Sequence, residues 1–165
     1  MFTATPINRC AMPPVPVLPG SIKHYAHQHN QPLALAWLQV QAVILFDRSS
    51  SMDERDAPGK LTRFELAVSE LAKLQAQCPG RVAIVQFNDE CSFQPGGVPD
   101  KPAGTTDLAG ALELVKRKQM DSPGMRIIVI SDGEPDDEAA ALTLAKKFAN
   151  RIDVVYCGPA DKPDG

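Results

Sequence analysis

Five side chains in three separate segments carry oxygen atoms of the kind that bind a hard divalent cation. Asp47, Ser49 and Ser51 form an Asp-x-Ser-x-Ser sequence directly after an apolar run. Thr106 follows a glycine-containing loop, and Asp132 follows a later apolar run. Carboxylate and hydroxyl oxygens are ligands that Mg²⁺ and Mn²⁺ prefer. Because Mg²⁺ requires a near-octahedral shell, a set of this kind leaves a coordination position for a ligand from outside.

A site built from these residues needs a fold that brings the ends of separate strands together. Apolar runs rich in β-branched residues predict long strands at 40–46, 81–87, 126–130 and 152–156. A short strand at 91–94 follows so closely on the second long strand that it must return antiparallel. Residues 40–160 therefore predict an α/β fold with an open, mostly parallel sheet.

Helices are predicted between these strands. They lie at 61–77, where Thr62 and Glu65 form a capping box, from 105–107 onward, and at 136–150, with Leu142, Ala145 and Phe148 facing inward. Ligands of such sheets bind beyond the carboxyl ends of the strands. If the first and third long strands are neighbours, the three oxygen-bearing segments meet at one edge of the sheet.

Composition narrows the class of protein. A chain of 165 residues predicts one main domain, and a net charge of −3 argues against nucleic acid as the partner. No apolar run approaches the roughly 20 residues that span a bilayer, so no membrane segment is expected. Residues 1–20 lack the basic start of a signal peptide, and the four cysteines form no Cys-x-x-Cys pair. We therefore expect a cytoplasmic protein with reduced thiols.

Residues 1–38 are proline-rich and differ from the remainder of the chain. Three of their prolines are spaced three apart and would share one face of a polyproline II turn: Pro13, Pro16 and Pro19. The segment is either a docking segment for a partner or, as we favour, a stiff arm lying on its own domain. His24, His27 and His29 could bind a transition metal, but a solvated loop is the favoured interpretation. Residues 32–38 form either a short helix or an extended lead-in to the first strand.

Three segments resemble, in order, the von Willebrand factor type A domain with its metal-ion-dependent adhesion site. They are Asp47-Arg-Ser49-Ser-Ser51, Gly104-Thr-Thr106-Asp-Leu108 with Ala111-Leu112, and Ile130-Ser-Asp132-Gly-Glu134. The resemblance covers about residues 39–160 and implies a doubly wound sheet with a short antiparallel edge strand. Thr106 matches the family spacing, and Thr105 is the alternative.

The resemblance also implies roles for the five residues. Ser49 and Ser51 would bind Mg²⁺ or Mn²⁺ directly, and Thr106 directly or through water. Asp47 and Asp132 would act directly or through water. The open position would accept an Asp or Glu carboxylate of a protein partner. The expected function is thus non-enzymatic: an adaptor in an intracellular assembly of bacterial type. An AAA+ ATPase partner would be a separate protein, because this chain has no phosphate-binding loop.

Other interpretations start from the same residues. Asp47 could be the nucleophile of a metal-dependent phosphohydrolase. Such an enzyme is expected to have a second Asp two residues later as its general acid, and this chain has Ser49 there. A secreted adhesin and a scaffold with a vestigial site are further alternatives. Each residue also has a simple structural explanation, since serines cap turns and Thr106 could cap a helix. The complete pattern favours a metal site. The nearby acids are expected on a solvated rim: Asp53, Glu54, Asp56 and Glu134.

The family usually continues with another helix after the equivalent of residues 152–156. We therefore expect residues 39–165 to be a type A domain that lacks its last helix, unless the N-terminal arm covers the same face. Exposed apolar surface there would favour dimerisation.

Overall fold

The computed structural model describes residues 16–121, 124–133, 135–148 and 151–159. Within them one five-stranded sheet has the order β3-β2-β1-β4-β5. Its strands are β1 Ala42–Asp47, β2 Val82–Phe87, β3 Cys91–Phe93, β4 Arg126–Ser131 and β5 Ile152–Tyr156. Neighbours pair in parallel except β2 and β3, which are antiparallel. The predicted fold class, including the short antiparallel edge strand, is confirmed. Cys10, Pro13 and Glu134 lie outside the described residues.

Helices cover both faces of the sheet. On one face α3, Arg63–Gln77, packs Ala67 and Leu71 into a cluster with Ile44 and Phe46 of β1. On the other face α4, Leu108–Asp121, and α5, Glu138–Ala145, belong to the cluster that contains Val43 and Leu45. Successive β1 residues therefore alternate between two apolar layers, which explains why the whole strand is apolar.

The strand order reverses between β1 and β4. The chain runs from β1 to β2 and β3 on one side, then returns to add β4 and β5 on the other. Phe46 of β1 lies opposite Ile130 of β4, so Asp47 and Ser131 follow at the same level of the sheet. The carboxyl ends of β1 and β4 thus flank the switch point, where ligands of doubly wound sheets bind.

The histidine segment differs from the prediction. Where a solvated loop was expected, residues Ile22–Gln28 form helix α1. Ser21 caps it by accepting a hydrogen bond from the His24 amide at 3.3 Å, and Ile22 and Ala26 are buried. The loop prediction was wrong because a side-chain cap and two apolar residues four apart outweigh the polar histidines. Of the two alternatives for 32–38, the structure has the helix, α2 Leu33–Leu38.

The last predicted helix is shorter than 136–150. Asp137 caps α5 by accepting from the Ala140 amide at 2.8 Å. Leu142, predicted to face inward, is 51% exposed, whereas Ala141 is buried. The prediction was wrong because residues 139–142 are all apolar, so their spacing does not define a face. Phe148 is buried as predicted, beyond the end of the helix.

In the described part of the chain, no helix has the length and hydropathy needed to cross a membrane. Cys78, Cys91 and Cys157 are free thiols. Burial, followed by the nearby charge of Asp132, raises the pKa of the Cys157 thiol to about 11. Cys157 is therefore a neutral, packed residue at neutral pH.

Candidate metal centre

Asp47 ends β1 and is fully buried. Its Oδ1 accepts a hydrogen bond from the Ser49 amide at 2.7 Å, and its Oδ2 accepts from the Ser131 hydroxyl at 2.6 Å. Burial raises the pKa of the Asp47 carboxyl above its ordinary value, and the charge of Asp132 adds to this. The hydrogen bonds from Ser131 and Ser49 oppose the rise. Two donors therefore hold this carboxylate in one orientation.

The two serines that follow present their hydroxyls together. After Ser49 the chain enters a 3₁₀ turn, Ser50–Asp53, and the Ser49 side chain makes no capping bond to that turn. The Ser49 and Ser51 Oγ atoms are 3.0 Å apart. Two neighbouring ligands of an octahedral cation with bonds of about 2.1 Å are about 3 Å apart. The separation of the hydroxyls therefore suits two ligands of one Mg²⁺ or Mn²⁺.

Thr106 is buried on a loop that is bonded on two sides. Its amide donates to Asp136 Oδ2 at 3.1 Å, and the Asp136 amide donates to the Thr106 carbonyl at 3.0 Å. The same loop is hydrogen-bonded to the turn Ser50–Asp53, called the serine turn below, because the Ser50 amide donates to the Gly104 carbonyl at 3.0 Å. Asp136 therefore positions Thr106, instead of occupying the helix start that the sequence suggests.

The adjacent residues take the other roles that Thr106 could have had. Asp107 caps α4 by accepting from the Gly110 amide at 2.8 Å, so Thr106 is not the helix cap. Thr105, the alternative ligand, is exposed and donates its hydroxyl to Asp89 Oδ1 at 2.7 Å. This hydrogen bond lowers the pKa of the Asp89 carboxyl. Of the two threonines, Thr106 is the buried one.

Asp132 follows β4 and is 4% exposed. Its Oδ2 accepts from Arg63 Nη1 at 2.9 Å. Its Oδ1 is buried and has no hydrogen-bond partner among the described residues. A buried carboxylate oxygen is normally satisfied, because desolvating it without a partner is costly. The orphaned oxygen fits a ligand of a cation or of cation-bound water.

Two residues of the centre were not assigned a role from the sequence. Ser131 fixes Asp47, and its signal was a polar residue that ends an apolar strand directly before Asp132. Arg63 binds Asp132 and is the first residue of α3. The sequence feature that could have identified Arg63 is its positive charge at a helix N-terminus. The helix dipole disfavours a cation there, so the residue needs anionic partners.

The structure thus places Asp47, Ser49, Ser51 and Asp132 at the carboxyl ends of β1 and β4, and Thr106 on a neighbouring loop. Hydrogen bonds connect Asp47 with Ser49 and Ser49 with Ser51. Asp132 lies next to Ser131, which binds Asp47, and Thr106 lies on the loop bonded to the serine turn. No group of three His, Cys, Asp or Glu side chains that could hold a metal occurs among the described residues. A cation here would depend on hydroxyl ligands, and the donor set fits Mg²⁺ or Mn²⁺.

Comparison with known proteins gives a likeness of fold. Neither a protein-family model nor a curated protein matches the chain. One similar solved structure is an aerotolerance-related membrane protein from Bacteroides fragilis carrying multiple mutations to serine, at 22% identity and TM-score 0.54; the match covers 71% of this chain and 67% of that one. Another is the manganese-loaded TRAP protein of Plasmodium vivax, at 16% identity and TM-score 0.51.

The match to the TRAP protein covers 74% of this chain and 59% of that one, so this chain spans less than two thirds of its length. At these identities the likeness concerns the fold. Together with the strand order, it shows that the chain has a von Willebrand factor type A-like α/β fold.

Proposed function

We propose that this chain is a protein-binding module that grips an acidic residue of a partner through a bound Mg²⁺ or Mn²⁺. The residues that would hold the cation are Asp47, Ser49, Ser51, Thr106 and Asp132. The observation that carries the proposal is the buried Oδ1 of Asp132, which has no hydrogen-bond partner among the described residues. The likeness of fold to a manganese-loaded protein supports it.

The ligand set supports gripping of a carboxylate. A bound divalent cation supplies positive charge that attracts an anionic ligand. Three of the five proposed ligands are neutral hydroxyls, so the protein cancels only part of that charge. The Asp or Glu carboxylate of a partner completes the neutralisation, and its bond to the centre is charge-assisted.

The environment of Asp47 supports a non-enzymatic role. Both of its oxygens accept hydrogen bonds, from the Ser49 amide and the Ser131 hydroxyl. Both oxygens are thereby directed at groups of the chain itself, whereas a nucleophilic carboxylate directs one oxygen at its substrate. Asp47 is therefore better suited to organising the serines than to attacking a phosphoester.

The resemblance of the sequence pattern leads us to place the module in a cytoplasmic multiprotein assembly, as an adaptor. An AAA+ ATPase is one class of partner for such an adaptor, and the ATPase would be a separate protein. This part of the proposal is open to a direct test by partner capture.

Cation binding is tested by titration calorimetry with Mn²⁺ and Mg²⁺ on the wild type, Asp47→Ala and Asp53→Ala. Asp53 is a matched control, because it is an exposed acid at the end of the turn Ser50–Asp53, which also contains Ser51. We expect binding by the wild type and Asp53→Ala and none by Asp47→Ala. Absence of binding by the wild type, or equal binding by all three proteins, would refute the metal centre.

Partner binding is tested by affinity capture with immobilised protein in Mn²⁺ and in EDTA. We expect a specific partner that is released by EDTA and is lost with Asp47→Ala but retained with Asp53→Ala. A cation-dependent phosphoester turnover that Asp47→Ala abolishes would contradict the proposal and favour the phosphohydrolase.

A further inference from the structure

Arg63 connects the candidate metal centre to the acids on its rim. The residue is 8% exposed and begins α3. Its Nη1 donates to Asp132 Oδ2 at 2.9 Å and lies 3.4 Å from the Ser51 carbonyl. Its Nε and Nη2 donate to Asp56 at 2.9 and 2.6 Å, and Nη2 also donates to Glu54 at 2.7 Å. Every nitrogen of the guanidinium thus has an acceptor.

The partners of Arg63 differ in their access to water. The Asp132 side chain is 2% exposed, whereas the side chains of Asp56 and Glu54 are 36% and 60% exposed. Water screens the two outer carboxylates, but Asp132 depends on the guanidinium for neutralisation. An arginine side chain stays protonated in proteins, so Arg63 is a cation.

We propose that Arg63 is a built-in counter-ion of the metal centre: it neutralises Asp132 in the cation-free protein and its charge opposes the incoming divalent cation. The inference rests on the proposed function, because it assigns a regulator to the same site. Arg63 acts through Asp132 and is a positioning residue, since it engages one carboxylate oxygen and leaves Oδ1 without a partner among the described residues.

The charge of Arg63 stabilises the cation-free protein but disfavours the cation-bound protein. Without Arg63, the buried carboxylates of Asp132 and Asp47 would lose the guanidinium that is ion-paired with Asp132, which destabilises the cation-free protein. A divalent cation would then no longer be repelled by the guanidinium and would bind more tightly. Arg63 therefore lowers cation affinity while keeping the centre assembled. A residue with a purely structural role would not tighten binding when it is removed.

The test compares Arg63→Gln, Arg63→Lys and the control Arg126→Gln. Arg126 pairs with Asp153 at 2.6 Å at the opposite end of β4, with its side chain 67% exposed, so its substitution removes the same charge far from the centre. The measurements are the Kd for Mn²⁺ by calorimetry and the Tm in EDTA and in Mn²⁺. For Arg63→Gln we expect a lower Tm in EDTA, a larger rise of Tm with Mn²⁺, and about a tenfold lower Kd.

The controls separate the counter-ion from a general effect of charge or packing. We expect a Kd close to the wild-type value for Arg63→Lys, which keeps the charge, and for Arg126→Gln. An unchanged or higher Kd for Arg63→Gln overturns the inference. If that variant does not fold in either buffer, Asp56→Asn takes its place. This substitution removes one of the negative charges that offset the guanidinium, so Arg63 should repel the cation more strongly. A Kd about threefold higher is expected, and an unchanged Kd overturns the inference.

Failure of the proposed function gives a different result. If the wild type binds no Mn²⁺, the metal module is refuted. The inference that Arg63 opposes the cation then predicts that Arg63→Gln binds Mn²⁺. Binding by that variant supports the counter-ion alone, and no binding by either protein overturns both.

Discussion

The hydrogen bond between Ser131 and Asp47 predicts the effect of removing one hydroxyl. In Ser131→Ala the buried Asp47 carboxylate loses the donor to Oδ2 at 2.6 Å and keeps the Ser49 amide at 2.7 Å, while the Gly133 amide loses its acceptor at 3.1 Å. A hydrogen bond to a charged group contributes about 1.5–3 kcal/mol, so the free energy of unfolding of the cation-free protein falls by about 2 kcal/mol. For a chain of this size the Tm decreases by about 6 °C.

A second hydroxyl provides the control. Thr143 donates to the Ala139 carbonyl at 2.7 Å, a bond of nearly the same length, but it lies on the exposed surface of α5 and its acceptor is neutral. Thr143→Ala should lower the free energy of unfolding by less than about 0.5 kcal/mol. Urea unfolding in EDTA measures both variants. Equal values for Ser131→Ala and Thr143→Ala would refute the inferred strength of the Ser131–Asp47 hydrogen bond.

The same variant has a defined pH dependence. Burial raises the pKa of Asp47 in the folded protein above 3.8, and the Ser131 hydrogen bond opposes that rise. Ionisation of Asp47 therefore costs stability as the pH rises through its folded pKa, and it costs more in Ser131→Ala. The difference in free energy of unfolding between wild type and variant should be largest at neutral pH and should shrink as the pH falls through the folded pKa of Asp47. A constant difference would contradict the assignment to the Asp47 charge.

Two further predictions concern the scaffold, and both are measured by urea unfolding. Gly20→Ala should cost about 3 kcal/mol or more, because its Cβ would lie 2.2 Å from the Gln75 carbonyl oxygen at φ +82°. Gly59→Ala, at φ +81° but with no atom nearer than 4.0 Å, should cost only about 1 kcal/mol, and equal losses would contradict the steric argument. Thr62→Ala removes the acceptor of the Glu65 amide at 3.0 Å and should cost about 1 kcal/mol; no loss would argue against the capping box.

Sequence alone predicted the strands well because each is a continuous apolar run bounded by polar residues. Ile152–Tyr156 has the predicted bounds, and the capping box of Thr62 and Glu65 is present. Patterns that are ambiguous in themselves gave the errors. The apolar stretch around Leu142 has no distinct polar face. The helix that contains His24 and His27 buries only Ile22 and Ala26, so its apolar face is a weak signal in the sequence.

The order and chemical types of the five candidate ligands are properties of the sequence, and the resemblance follows from them. The choice of Thr106 over Thr105 stays a prediction, although the Thr105 hydroxyl is engaged by Asp89. Cation binding itself is likewise a prediction, to be tested by titration. What local sequence determines is which residues end each strand and begin each helix, because these depend on neighbours a few positions away.

Only the tertiary structure decided which of these ends meet. Placing β4 beside β1 brings Ser131 to Asp47 across 84 residues and leaves Asp132 within reach of Arg63, 69 residues away. Neither pairing has a local signature, because the strand order depends on how two apolar layers pack on both faces of the sheet. The sequence specified the groups that could bind a cation. Packing determined that one oxygen of Asp132 is buried with no hydrogen-bond partner among the described residues and that the other is bound by Arg63.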